Sequence, residues 1–206
     1  MTAKGRFVLI DAGTGNLRSV YKALESLGAE GLLTDDPRQV LKAEKMVLPG
    51  VGAFGDFMHG LRSKKLDEAV LTMIGKGVPL LGICVGMQAL FEWSEELGKH
   101  EGLGILPGKV IRFELPKGYK IPHTGWNQLW RRRESALLNG IADGAYVYFN
   151  HSYYCAPEME ADVAAETDYG IHYASVVQRD HIFGVQFHPE KSQRIGLAIL
   201  ENFLVI

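Results

Sequence analysis

Apolar and polar residues follow two different rhythms along this chain, and the change between them falls near Trp93. In the first half, short apolar runs are separated by stretches of helical period. "RFVLID" reads as a buried strand. "LRSVYKALESLG" then places Leu17, Val20, Tyr21, Leu24 and Leu27 on one helical face, with Gly28 positioned to end the helix. "KMVLPG" and "VPLLGI" are further strands, and "GDFMHGLRSKKLDEAVLTMIGKG" supplies helical cover between them. Repeated strand-helix units predict a parallel sheet with helices on its faces and ligand chemistry at the carboxyl ends of the strands.

Beyond Trp93 the runs become β-rich: "GKVIRF", "TGWNQLW", "AYVYFNHSYYCA", "DVAAET", "IHYASVVQ" and "IFGVQFH", joined by turns and closed by an amphipathic helix in "SQRIGLAILENFLVI". This predicts an α/β fold on a mixed sheet, parallel at first and antiparallel later. No Pro/Gly/Ser-rich linker, heptad or solenoid repeat divides the chain, so residues 1–206 are read as one domain.

Composition narrows the function more than the fold. With 206 residues, 47% of them hydrophobic, the chain can bury a sizeable core. Its 22 basic residues nearly balance 24 acidic ones, so no overall field draws it to nucleic acid or anionic lipid. Arg131 to Arg133 form the one dense basic run and read as a solvated strand end or loop. The four apolar residues before Asp11 are too short for a signal-peptide core, and no segment approaches membrane-spanning length. A cytoplasmic location follows as an expectation. There, Cys84 and Cys155 are expected as free thiols.

Gly82, Ile83, Cys84, Val85 and Gly86 form G-x-C-x-G between an apolar run and an apparent helix. This is the nucleophile-elbow pattern with cysteine as nucleophile, in which glycines relieve crowding and Val85 N–H faces a developing oxyanion. A small buried cysteine is the competing reading. A thiol nucleophile needs a base, and the base needs an orienting group. "GVQFHPEKS" offers both, His188 and Glu190, two residues apart and on one side if the strand continues there. H-P-E also occurs in zinc deaminases, but no P-C-x-x-C accompanies it, so no metal and no cofactor is expected. "VLPGVGAFGD" ends a strand in a glycine-rich loop, where Val51 and Gly52 can offer further backbone N–H groups. "DAGTGNLR" has Arg18 where a dinucleotide fingerprint needs its third glycine, which argues against NAD.

Taken together, "DAGTGNLRSV", "LPGVGAFGD", "GICVGMQ", "PHTGWN", "YFNHSYY" and "GVQFHPEKS" resemble the class I, triad-type glutamine amidotransferases. Among these the resemblance is to the glutaminase subunits that serve imidazole glycerol phosphate synthesis. It implies a flavodoxin-like core and a triad of Cys84, His188 and Glu190 that hydrolyses glutamine through a thioester. The oxyanion would be held by Val85 with Val51 or Gly52, and the substrate by Gly50, Gly52, Gln88 and the main chain of His151, Ser152 and Tyr153. Ammonia would pass to a (β/α)8-barrel cyclase, met through Asn16, Trp126, Tyr148 and Lys191. Ordinary core packing is the alternative for Trp126 and Tyr148. Two positions depart from the wider pattern: Val51 stands where many members carry a second glycine, and Thr124 where methionine is common. Other readings that keep part of this architecture are an amidotransferase subunit with a different synthase partner, a cysteine peptidase or related stress protein, and a non-catalytic binding module.

Overall fold

A computed structural model describes residues 5–206; residues 1–4, the start of the stretch read above as too short for a signal peptide, lie outside the described residues. Strand β1 (Arg6–Ile10) leads to helix α1 (Leu17–Ser26), β2 (Glu30–Thr34), the single turn α2 (Pro37–Val40) and β3 (Met46–Gly50). Two helices follow, α3 (Phe54–Ser63) and α4 (Leu66–Gly75), then β4 (Leu80–Cys84) and the short α5 (Val85–Gln88). The remainder is mostly strand: β5 (Phe91–Ser94), β6 (His100–Glu101), β7 (Leu106–Arg112), β8 (His123–Arg131), β9 (Ala145–His151) and β10 (Tyr153–Pro157). Strands β11 (Val163–Asp168), β12 (His172–Arg179) and β13 (Ile182–Val185) precede the closing helix α6 (Gln193–Val205).

The large sheet runs β2-β1-β3-β4-β13-β12-β11-β8-β9, parallel as far as β13 and antiparallel beyond it, as the change of rhythm predicts. Every residue of β3, β4 and β13 is buried, which is why these strands are continuous apolar runs. Helix α1 buries Val20 and Leu24 and packs Leu17, Tyr21 and Leu27 against the core. Gly28 ends it at φ +85°, letting Gly28 and Ala29 N–H groups take up the Glu25 and Leu24 carbonyls.

Four expectations need correction. The predicted helical stretch between β3 and β4 breaks at Lys65, which adopts φ 57°, giving two helices. The apparent helix after Cys84 stops after one turn, and "FEWS" pairs instead with β7 as strand β5, a choice that so short an apolar run leaves open. "AYVYFNHSYYCA" is not one strand: it divides at Ser152, with β9 on the large sheet and β10 on a second one. That second sheet, β10-β7-β5-β6, stands beside the mixed sheet expected and is an addition to it.

The triple arginine is a strand end, with Arg131 paired to Asp143 at 3.3 Å and Arg132 to Glu166 at 3.5 Å. No described helix is long and apolar enough to cross a membrane. Cys84 and Cys155 are both free and buried.

Helix α3 is pressed against the loop after β1, where a Cβ at Gly60 would lie 1.9 Å from the Ala12 carbonyl oxygen. Nothing lies within 4 Å of the corresponding position at Gly75, at the end of α4. Gly60→Ala is therefore expected to destabilise the protein by about 1–3 kcal/mol, the range for overpacking. Gly75→Ala should stabilise it by up to about 0.5–1 kcal/mol through helix propensity. Urea denaturation of both variants tests this pair, and equal effects at the two sites would contradict it.

Candidate active site

Three parallel strands finish side by side where the chemistry was expected. In the β3–β4 pairing Gly50 lies opposite Cys84, and in the β4–β13 pairing Ile83 lies opposite Val185. Cys84 is thus flanked by the Gly50–Gly52 loop on one side and by Gln186, Phe187 and His188 on the other. Its backbone is at φ 55°, ψ −111°, a conformation that a non-glycine residue holds only at a cost of about 1–3 kcal/mol. Both flanking glycines are sterically required. A Cβ at Gly86 would sit 1.7 Å from the Leu48 carbonyl oxygen, and one at Gly82 would sit 2.6 Å from the Gly86 carbonyl oxygen. The helix beyond the elbow has only four residues, so its dipole is a small aid to a thiolate.

His188 and Glu190 meet, though not along a strand. Strand β13 ends at Val185, and a 3-10 turn at Pro189–Lys191 folds the Glu190 carboxylate back to 3.0 Å from His188 Nδ1. The strand geometry expected for this pair is therefore wrong and the contact right. The turn is clamped to β9: His188 N–H donates to the Tyr148 carbonyl at 2.9 Å, Ser192 Oγ to the His188 carbonyl at 2.6 Å, and Tyr148 N–H to Ser192 Oγ at 2.9 Å. Asn16, half-buried and expected at a partner surface, donates from Nδ2 to Glu190 Oε1 at 3.2 Å. Burial pulls the His188 pKa down, but hydrogen bonds to Cys84 and Glu190 and the charges of both outweigh it, and His188 is pushed up to about 10.

Val51, Gly52, Cys84, Val85, Gln88, His151, Ser152, Tyr153, His188 and Lys191 line one pocket of roughly 130 Å³, small enough for an amino-acid-sized ligand. Gly50 sits just behind it, held between the Phe57 ring and Gly86, where any Cβ would approach the ring to 2.6 Å. Outside the mouth, Trp126 is 45% exposed and meets Tyr148 edge-on at 6.0 Å, with Lys191 Nζ 5.7 Å over the Tyr148 ring. Core packing does not explain these aromatics. Thr124 spans the β8–β9 ladder through a 3.0 Å bond to Asn150.

Two residues of the site escaped sequence reasoning. Gln186, fully buried, accepts from Gln88 Nε2 at 3.2 Å and donates to Cys84 Sγ at 3.8 Å. The signal for it was a polar residue inside the apolar run "FGVQF". Glu96 also lines the pocket and accepts from Phe54 N–H at 2.7 Å; it comes from a loop of the second sheet, and nothing in the sequence pointed to it.

An elbow cysteine, a histidine-carboxylate pair and a glycine loop at adjoining ends of a mixed sheet define a class of hydrolytic site, and comparison with known proteins agrees. Residues 8–206 match the family model for class-I glutamine amidotransferases, and the chain belongs to that family. It is 53% identical over 199 residues to the imidazole glycerol phosphate synthase subunit HisH of Aquifex aeolicus, covering 96% of this chain and 95% of that protein. The corresponding HisH subunit of Geobacter metallireducens is 51% identical over 200 residues, with 95% of each covered. Among solved structures, a glutamine amidotransferase superposes with TM-score 0.74 at 20% identity, over 96% of this chain and 98% of that one. PurLQS from Thermotoga maritima superposes with TM-score 0.75 at 20% identity, over 97% of each chain. These two share the fold.

His151, in the pocket wall, and His123 behind it are both buried. Burial lowers His123 to about 4 and His151 to about 3, against about 6.5 for a free imidazole. Both are neutral in the fold and take up protons on unfolding, so their contribution to stability is complete above pH ~6.5 and is lost as pH falls toward these values. Thermal melting should show Tm falling from pH 6.5 to pH 4. In His123→Asn the fall should be shallower, even from a lower starting Tm; parallel slopes would refute the assignment.

Proposed function

We propose that this chain is the glutaminase subunit of a cytoplasmic imidazole glycerol phosphate synthase, working as a heterodimer with a (β/α)8-barrel cyclase. The observation that carries the reading is Cys84, held at positive φ in the same pocket as His188, with Glu190 at 3.0 Å behind the imidazole. Glutamine is bound with its carboxamide at Cys84. Gln88 and the main chain of His151 to Tyr153 contact its backbone end, and the Glu96 carboxylate suits its α-ammonium.

Cys84 attacks the carboxamide carbon, and Val85 N–H with a peptide N–H at Val51 or Gly52 stabilises the resulting oxyanion. His188 takes the Cys84 thiol proton and hands it to the departing ammonia as the thioester forms, then takes one from the hydrolysing water and returns it to Sγ as glutamate leaves. Glu190, braced by Asn16, keeps the His188 ring oriented. Ammonia passes to the cyclase, which joins it to a phosphoribulosyl-formimino aminoimidazole carboxamide ribonucleotide and yields imidazole glycerol phosphate and the aminoimidazole carboxamide ribonucleotide. Trp126, Tyr148 and Lys191 form the neighbouring contact surface. Lys191 lines the pocket and also sits over Tyr148, so it connects the site to that surface.

Glutamate release from glutamine, measured with and without the barrel cyclase and its nucleotide, tests the reading. Cys84→Ala should lower glutamine-dependent synthesis by at least about a thousandfold while ammonia-dependent synthesis continues. Survival of the glutamine reaction would remove Cys84 from the mechanism, and cleavage of peptides without glutamine would favour a peptidase. Val51 carries a side chain where a glycine would let the oxyanion peptide turn freely. Val51→Gly should therefore raise glutaminase activity of the isolated chain, and an unchanged basal rate would count against this switch.

A further inference from the structure

The hydrogen bonds beside the pocket form a chain whose direction follows from its inner end. The Tyr153 carbonyl can only accept, so His151 Nδ1, 2.8 Å away, carries the proton. In the neutral ring Nε2 is then an acceptor, and the Tyr173 hydroxyl at 3.3 Å donates to it. The Tyr173 oxygen accepts in turn from His123 Nδ1 at 3.1 Å, leaving His123 Nε2 toward the Asn127 amide nitrogen at 3.5 Å. Thr167 also faces the Tyr173 hydroxyl, but its own proton goes to the Gln128 carbonyl at 2.9 Å. Phe113 packs edge-on to Tyr173 at 5.3 Å, and Phe149 stacks on His123 at 4.8 Å, so aromatic rings wall the chain in.

The inner end of the chain reaches the reaction site. The Tyr153 carbonyl that accepts from His151 also accepts from Gln88 Nε2 at 3.1 Å, and Gln88 leads through Gln186 to Cys84. His151, Ser152 and Tyr153 are also where the chain leaves the large sheet for the small one. The His151 ring spans this kink from within, and Tyr173 on β12 holds its far nitrogen.

We propose that Tyr173 is a positioning residue for glutamine. By fixing the His151 ring in one tautomer and one orientation, its hydroxyl sets the Ser152–Tyr153 main chain and the Gln88 amide that receive the substrate. The inference rests on the glutaminase reading above. Because Tyr173 stands behind the pocket wall and touches none of the reacting atoms, its effect falls on substrate binding and leaves the chemical step alone.

The test is Tyr173→Phe in the complete complex with the barrel cyclase, with Tyr169→Phe as control. Tyr169 belongs to the same aromatic cluster, its ring stacked 3.8 Å from that of His123, but its hydroxyl donates to the Lys120 carbonyl, outside the chain. Tyr173→Phe should raise KM for glutamine about three- to tenfold, the size of one lost hydrogen bond, with kcat held within about twofold. Ammonia-driven synthesis should be unchanged, and Tyr169→Phe should keep the wild-type KM. Should Tyr173→Phe not fold, His123→Gln removes the group that orients the hydroxyl and is read the same way. An unchanged KM, a fall in kcat alone, or a parallel loss of ammonia-driven synthesis would overturn the proposal. A wild-type complex that releases no glutamate would instead overturn the glutaminase reading, and that is seen before any variant is made.

Discussion

The contact between Gly86 and the Leu48 carbonyl carries the geometry of the whole site. There the first turn after Cys84 lies so close to β3 that no side chain fits between them. The approach brings the elbow down onto the sheet and places Cys84 level with Gly50. A strained backbone persists only where its surroundings over-determine it. Here the surroundings are the fully buried strands β3, β4 and β13, whose apolar side chains each contribute about 1.5–3 kcal/mol on burial. The stability of the sheet centre thus maintains an unfavourable conformation at one residue, and that conformation turns Cys84 into the pocket.

The histidine side is built differently. The turn that carries His188 and Glu190 lies past the end of β13, outside any ladder, so other groups must hold it. Ser192 bridges it to β9, and α6 seats Gly196 directly against the Pro189 carbonyl, where a Cβ would come within 1.9 Å. Asn16, from the loop before α1, braces Glu190 from the opposite side. Segments from both ends of the sequence therefore converge on one carboxylate. A buried imidazole is costly unless its ring nitrogens find partners, and Glu190, so placed, supplies the one at Nδ1.

Much of this was legible in the linear chain. Gly82 and Gly86 announced a crowded turn, "HPE" announced a base and its orienting group, and the shift of rhythm near Trp93 announced a sheet that changes from parallel to antiparallel. The errors over the second sheet share one cause. "FEWS" and "YYCA" have apolar patterns that suit more than one partner, and only their pairing with β7 made them strands of a second sheet. Glu96, Gln186 and Tyr173 were missed because their importance lies in what they touch, and their partners are distant in sequence.

By itself, then, the sequence determined which residue types were available for chemistry and where glycine was needed, because steric crowding and side-chain reactivity are local properties that short motifs encode. Only the tertiary structure decided that Asn16 braces Glu190, that Gln186 reaches Cys84, and that two histidines and a tyrosine meet behind the pocket. Those contacts arise from the order in which strands pair across the sheets. That order is settled by the burial of whole faces against one another, which no single stretch of the chain contains.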